Sequence, residues 1–593
     1  MDRTSYIVVG LCVALLIGWY VYIGRHTPPP AEPPPAEEVR EPGIEEPEPP
    51  DEPEVEAPEE VPVEVAPSEP FKAAEDFPLP ADQIPEPDLQ HILLGQDRLL
   101  ESFLDNRRGG IGQVRLSEYS EYLQEKEESA RAVKLGDWRY PLASLFGEDS
   151  VRGRKLLQAD DSLMRLQTDW ASGMTTVEEW RASEKGGYRL DYRIMLENRG
   201  SELVDSGSLM VAAGAIDTGG IEETGQRMQR VGLMDLGIDF LAAGDRHATR
   251  FDSGDLEDLD ESERRELAAE EIEWLAVHNK YFMLFTRPSE TPVSGIVAGV
   301  EEEDSEEQEE DDTRKVYGGL KLPAVRLAPG ESVQWAFDIY AGPKEYYRIR
   351  ELGTDMTSVL GMDFFFFGRA RWMGSLSTVI LRSILFMRNL GLNFGLAIIS
   401  VTIAVKILFW PLTHKSASSM RKMQKLQPLV KELREKHKSE PQVMNQKIMA
   451  LYKEHKVNPL GGCLPMLCQI PVFLALFNTL RSAIELRHSG FLWVADLSQP
   501  DTLGFMPFGL PIRPLALMSG ASMLLQQKLT PTSADPNQAR MMMFMSIFFI
   551  FIAYRMPAGL TLYWTINQLL TMVQHGILHR LEGRREAEAA KSN

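Results

Sequence analysis

Residues 393–411 read NFGLAIISVTIAVKILFWP, and the interpretation of the whole chain turns on them. The run is nearly all apolar, and as a helix it spans about 30 Å, the thickness of a hydrocarbon core. It nevertheless carries Lys406, about six residues, or roughly 9 Å, from the end marked by Pro411. A cation at membrane depth costs about 2.5–3.5 kcal/mol if central, and less if its stem reaches the interface. Residue type alone leaves two readings open, a lysine that snorkels and a lysine that works.

At 593 residues the chain exceeds one domain, and its apolar runs near the start and through the last third predict a membrane protein. The net charge of -25 is unevenly placed: the acid lies in the N-terminal half, while the loop after Pro411 is basic. Cys12, Cys463 and Cys468 are the three cysteines, all within predicted spans. They offer neither a disulfide framework nor a zinc spacing.

Residues 6–23 form an apolar run of about the minimum length for a membrane helix. It ends in GWYVYIGRH with no small-x-small cleavage site, and Leu11 precedes Cys12 where a lipobox wants a small residue. The expectation is an uncleaved anchor over 1–26. Residues 27–88 are mostly Pro and Glu; the stretch 27–87 holds 19 of the 38 prolines. Such a composition cannot bury enough apolar surface to offset chain entropy, which predicts a disordered, charged tether.

A folded β domain is expected over 89–350. Tyr188, Leu190, Tyr192, Ile194 and Leu196 alternate, as do Val333, Trp335, Phe337 and Ile339, so both runs predict half-buried strands. EWLAVHNKYFMLF, 273–285, reads as a further buried strand region, and 255–271 as helical. An all-β sandwich results. The acidic run EEEDSEEQEEDD, 301–312, predicts a solvated loop.

Residues 351–391 hold Phe364–Phe367 and Trp372, then an apolar stretch punctuated by Arg382 and Arg388, which predicts an interfacial amphipathic segment. Spans are expected at about 392–412, 463–480, 511–528, 541–555 and 560–577, six with the anchor. Between His414 and Asn458 lie eleven Lys and Arg against four carboxylates, placing that loop in the cytoplasm. Both termini, with the tail 579–593, are then cytoplasmic and the β domain periplasmic. Within 413–459, Met420, Met423, Leu426, Val430 and Leu433 recur at helical spacing, as do Met444, Ile448, Leu451 and Tyr452. They predict a helical hairpin with a Met-rich seam and a cationic exterior, either self-packed beside anionic lipid or open to varied partners, substrate or ribosome among them.

HExxH, GxxxxGK[ST] and GxSxG are absent, and Ser519 has Leu517 where an intramembrane protease of the GxSG type has glycine. His575 and His579 stand four apart without a third ligand. The five spans from 392 onward hold no Asp or Glu, which argues against an ion-coupled transporter. They do hold Thr402, Gln469, Asn478, Gln526, Gln527, Tyr563, Thr565, Asn567 and Gln568, each costly against lipid. Singly each reads as helix-helix glue; with Lys406 they predict a hydrophilic pocket of positive potential. Neither catalytic residues, cofactor, metal nor nucleic-acid target is expected.

GLAIISVTIAVKILFWPLTHKSASSMRKMQKLQP, MALYKEHKVNPLGGCLPMLCQIPVFLALFNTL, ELRHSGFLWVADLS, LLQQKLTP and PAGLTLYWTINQLL resemble, in order and spacing over 392–578, the membrane core of the YidC/Oxa/Alb insertases. WLAVHNKYF and YAGPKEY upstream resemble the periplasmic domain of the Gram-negative YidC form, a β-supersandwich. The resemblance implies a polytopic α-helical protein of the bacterial inner membrane, with a five-helix insertase core and an all-β periplasmic domain. It implies insertion and folding of nascent membrane proteins, alone or beside the Sec translocon, with no reaction catalysed. A groove open to cytoplasm and lipid would receive the polar end of a nascent segment, while its apolar part slides past the helices beginning at Cys463 and Met541. The family's groove cation is usually arginine, and the matching position here is Lys406, which keeps the charge without bidentate capture of a carboxylate. By the same matching, Thr402, Gln469, Tyr563 and Trp564 line or support the groove. A secondary transporter and a structural membrane scaffold are the alternatives; the first lacks inverted repeats and a coupling-ion site, and the second needs no buried cation.

Overall fold

The computed structural model describes residues 90–592 except 96–98, 106–108, 121–131, 138–139, 148–150, 218–235, 246, 260–266, 268–270, 290–292, 304–312, 354–357, 366–367, 438–439, 456, 458–463, 504–510 and 530–535. The anchor, the tether and Cys463 lie outside the described residues.

The alternating runs become the middle of a nine-stranded antiparallel sheet. Its order is Thr249–Asp252, Gly237–Ala242, Ile272–His278, Phe282–Pro288, Ser332–Pro343, Arg189–Asn198, Met174–Ala182, Leu163–Trp170 and Val151–Asp160. Leu190, Tyr192, Ile194 and Leu196 are buried on one face of their strand, opposite Trp335, Phe337 and Ile339 of the next, so a period of two sets which side chains meet. Against this sheet packs a four-stranded one, ordered Gly295–Glu303, Thr313–Leu322, Leu209–Asp217 and Ser144–Gly147. A further four strands, Gln90–Leu94, Leu100–Asp105, Ile111–Ser120 and Ala132–Leu135, form a separate antiparallel sheet.

Three expectations change here. The region 273–285 is a hairpin, because Asn279 Oδ1 accepts the N–H groups of Tyr281 and Phe282 at 3.1 and 2.9 Å and turns the chain. Helix over 255–271 reduces to α1, Ser253–Asp258, capped by Asp252, with most of the remainder outside the described residues. The acidic run is not loop from its first residue: Glu301 and Glu302 extend a strand opposite Lys315 and Arg314, and opposite charges across a ladder favour pairing.

The outermost strand, Val151–Asp160, is exposed along its whole length. Two register irregularities, at Val151/Gly153 and Leu156/Gln158, and the charges of Arg152, Arg154 and Lys155 break the flat edge that other chains would extend.

The β domain ends in α2, Tyr346–Leu352, and the chain passes to α3, Arg371–Asn389. The remaining helices are α4 (Phe394–Leu408), α5 (Trp410–Lys425), α6 (Gln427–Lys436), α7 (Pro441–Glu454), α8 (Leu464–Ser482), α9 (Pro514–Leu529), α10 (Pro536–Ala553) and α11 (Ala558–Ser592). α3 is amphipathic and packs Met373, Ser377, Leu381 and Ile384 toward α4 and α8. The first half of α11 lies against α4, α8 and α9. The tail expected over 579–593 is its continuation, helical to Ser592.

Among the described residues no helix is long and apolar enough to cross a membrane. The expected span at 392–412 shortens to the 15 residues of α4, about 22 Å against roughly 30 Å of hydrocarbon. Asn393 starts it by accepting the Leu396 N–H at 2.8 Å, and it stops at Phe409. Pro411 then occupies the first turn of α5, where a missing N–H costs least. α3 carries Arg371, Arg382 and Arg388 within its 19 residues.

Candidate functional site

The first half of α11 positions the site. Loop 489–501 holds its N-terminus, with Ala558 N–H donating to Gln499 O at 2.7 Å and Gly559 N–H to Leu497 O at 2.8 Å. Tyr563, Asn567 and Thr571 then follow at intervals of four, which keeps them within roughly a quarter-turn on one face. In an apolar helix such a polar stripe needs partners on its neighbours.

It has them. Gln469 of α8 donates from Nε2 to Tyr563 OH at 3.2 Å and to Asn567 Oδ1 at 3.0 Å. Lys406 of α4 donates from Nζ to Thr571 Oγ1 at 2.8 Å, and that hydroxyl donates in turn to the Asn567 carbonyl at 2.7 Å. Three helices are thereby joined by one polar chain, with Lys406 at one end and Tyr563 at the other. Tyr563 is 2 % exposed and Lys406 half-buried. Among the described residues Lys406 forms no ion pair, and its one hydrogen bond goes to a neutral hydroxyl.

Of the expected groove residues, Lys406, Gln469 and Tyr563 are brought together. Thr402 lies one turn before Lys406, but its hydroxyl donates to its own helix at Ile398 O, 2.7 Å away, and it stays outside the chain of bonds. Trp564 belongs to an aromatic wall, stacked on Phe549 of α10 with centroids 4.4 Å apart and edge-on to Phe473 of α8 at 5.1 Å. Its Nε1 is buried and makes no hydrogen bond among the described residues.

Asn567, expected only as one of the polar residues of the pocket, proves a member of the site, and Thr571 is a member that sequence reasoning did not name. The signal that could have found Thr571 is the repeat of four from Tyr563 through Asn567. Asn478 does act as glue, donating to Met362 O at 3.0 Å, as does Gln527, which donates to Ser546 Oγ at 2.5 Å.

In the basic hairpin α6 and α7 pack together beyond α5. Leu426 and Val430 are buried, Met423, Ile448 and Leu451 half-buried, and Met449 exposed; the Met420 side chain lies outside the described residues. No group of three or more His, Cys, Asp or Glu that could hold a metal occurs among the described residues.

Fold and site together define a class: a helical core with a polar, donor-bearing interior, carried beside a large antiparallel β domain. The family described as 60Kd inner membrane protein matches residues 385–585, and the YidC periplasmic domain matches 150–367. The "Membrane protein insertase YidC" of Pelobacter propionicus is 39% identical over 330 residues, 54% of this chain and 57% of that one. That of Geobacter sulfurreducens is 40% identical over 267 residues, 45% of this chain and 47% of its own. The matched region thus spans about half the length of these curated relatives. A solved structure described as active YidC insertase with its first transmembrane domain resolved aligns over 82% of this chain and 92% of its own at 17% identity. Its TM-score of 0.35 is too low to bear on fold or function. The chain is thus similar, over 150–367 and 385–585, to the YidC periplasmic domain and to 60Kd inner membrane proteins.

Proposed function

We propose that the protein inserts and folds nascent membrane proteins, and that the polar chain from Lys406 to Tyr563 lines the groove receiving their hydrophilic segments. The observation that carries this reading is an ammonium that, among the described residues, has no carboxylate partner and is held inside a helical core by a neutral hydroxyl. A cation so placed is costly as structure alone, and it attracts an acidic residue entering the core. The amides and hydroxyls beside it replace part of the water such a segment gives up. Net insertion is driven by burying about 20 apolar residues in lipid, so the protein need only lower a barrier.

The wider arrangement belongs to the same proposal. The 1–26 anchor and the helices of 392–578 make six spans, with both termini and the 413–459 hairpin cytoplasmic and the 89–350 domain periplasmic. The tether 27–88 separates anchor from domain, and 351–391 lies in the interface. Thr402 and Trp564 support the groove wall. Met420, Met423, Ile448 and Leu451 form the seam of a platform for substrate or ribosome, and the Sec translocon is a partner.

The test is reconstitution into vesicles with a small single-span client, scored by protease protection of its translocated tail. Protection above that of empty vesicles is expected; protection equal to empty vesicles overturns the reading. A transporter or a scaffold for the β domain would give the second result.

A further inference from the structure

Gln574 stands apart from the other amides of the helical core. It is 2 % exposed, yet its Nε2 makes no hydrogen bond among the described residues. Gln469 and Gln527 spend amide donors on a neighbouring helix, and Asn478 spends one on the Met362 carbonyl. An amide donor left open in a buried position costs about 1–3 kcal/mol, so a chain that keeps one invites a reason.

Position supplies the reason. Gln574 lies three residues beyond Thr571 on α11, and it falls on the same quarter-turn as Tyr563, Asn567 and Thr571. Side chains three apart on a helix are neighbours, with Cβ atoms roughly 5–6 Å apart. Thr571 is the residue that holds Lys406 Nζ, at 2.8 Å. The open amide therefore sits one step along the helix from the one ammonium in the polar chain. An ammonium has three donors and Thr571 takes one; Gln574 Nε2 offers its own donors from the next turn of the same helix face. A carboxylate has two oxygens and accepts from both sides.

We propose that Lys406 and Gln574 together form a two-donor subsite for a single Asp or Glu side chain of the entering segment, Lys406 supplying charge and Gln574 the second donor. This rests on the insertase reading above. It assigns to two residues on two helices what a guanidinium achieves alone with its fork. No bond is made or broken, and the client carboxylate leaves by exchange with water as its apolar part partitions into lipid.

The experiment uses the full-length protein in vesicles and two clients identical except for one tail Asp replaced by Asn. Gln574→Leu should lower protected yield of the Asp client about tenfold, the loss of one hydrogen bond to a charged group, and change the Asn client less than about twofold. In a Lys406→Ala background, Gln574→Leu should add less than about twofold to the loss for the Asp client, because the two donors serve one carboxylate. Adding Lys406→Arg to Gln574→Leu should restore the Asp client, since the fork supplies both donors. Equal losses for both clients, or no restoration by arginine, would overturn the assignment and leave Gln574 a packing residue. If Gln574→Leu does not accumulate, the near-isosteric Gln574→Glu carries the same test, with the Asp client lost and the Asn client kept. Failure of the unsubstituted protein to insert either client is a different result, and it removes the insertase reading itself.

Discussion

The backbone N–H of Tyr346 donates a 2.8 Å hydrogen bond to Oε1 of Glu485, joining the exit helix of the β domain to the turn that follows α8. Around it, Arg487 lies over the rings of Tyr281 and Phe282, at 5.7 and 5.8 Å from their centroids. These are the aromatic residues of the 273–285 hairpin. On the β-domain side, Tyr119 donates to Glu345, whose carboxylate also takes the Arg348 Nε–H at 2.6 Å. The two halves of the chain are therefore fastened by polar bonds at a few positions.

Glu485 gives that joint a pH dependence. Burial, opposed by the Tyr346 N–H and its own backbone and reinforced by the charge of Glu345, holds its carboxyl at about 7, above the ordinary 4.5. Between those values the folded chain keeps a proton the unfolded chain has lost, so stability falls as pH rises through the window. The full cost, on the order of 3 kcal/mol, is present above about pH 7 and absent below about 4.5. Glu485→Gln keeps an oxygen for Tyr346 and removes the charge. Its midpoint of thermal unfolding in detergent should exceed the parent's at pH 8 and match it at pH 4.5; an equal shift at both pH values would contradict this.

A second expectation concerns the start of α4. A Cβ on Gly395 would lie 2.1 Å from the ring of Phe491, in the loop that also holds the N-terminus of α11. The ring must move, and Phe491 is bonded to Val494 in both directions. Gly395→Ala should destabilise by about 1–3 kcal/mol, and Phe491→Ala in that background should recover part of it. Unchanged melting of Gly395→Ala would show that the loop yields freely.

How much of this was legible depends on the element. Tyr192 and Ile194 announce their strand because one face is buried and the other wet, so the period survives in the residues. The edge strand Val151–Asp160 has no such period, since both of its faces are exposed and two register irregularities break what pattern there is. Glu301 and Glu302 look like loop until Lys315 and Arg314 are seen opposite, a fact of register that composition does not carry. In the site, Lys406 was legible as a cation in an apolar run. Thr571, its partner, was not, because a lone threonine in such a helix reads as neutral until its distance of eight from Tyr563 is counted.

The basic hairpin has more apolar surface than self-packing uses: Val430 is buried, while Met423, Ile448 and Leu451 stay half-buried and Met449 is 57% exposed. Flexible thioethers suit a surface that meets many sequences. Deleting 421–453 should abolish insertion in the vesicle assay while α3, α4 and α8 to α11 still assemble, as judged by protease resistance of the purified core. Normal insertion by the deletion would reduce the hairpin to a lipid-facing ornament of the loop.

Lys406 itself separates solvation from capture. If the lysine only snorkels, Lys406→Ala should be neutral or slightly stabilising, since it removes a cost of up to about 3 kcal/mol. The structure gives the ammonium a hydroxyl partner and no carboxylate among the described residues, which leaves its charge available to an incoming acid. Capture predicts that Lys406→Ala lowers insertion most for clients with acidic translocated tails and little for neutral ones. Lys406→Arg should work at least as well as the parent, because charge is kept and a forked donor is gained. Lys406→Glu should be worst, repelling the same tails. Thr571→Val, which removes the acceptor holding Nζ, should fall between parent and Lys406→Ala for the acidic client. The measurement is protected yield for two clients differing only in tail charge, at matched levels of each variant. Equal yields for both clients with Lys406→Ala would refute electrostatic capture and leave Lys406 as a residue that keeps the core wet.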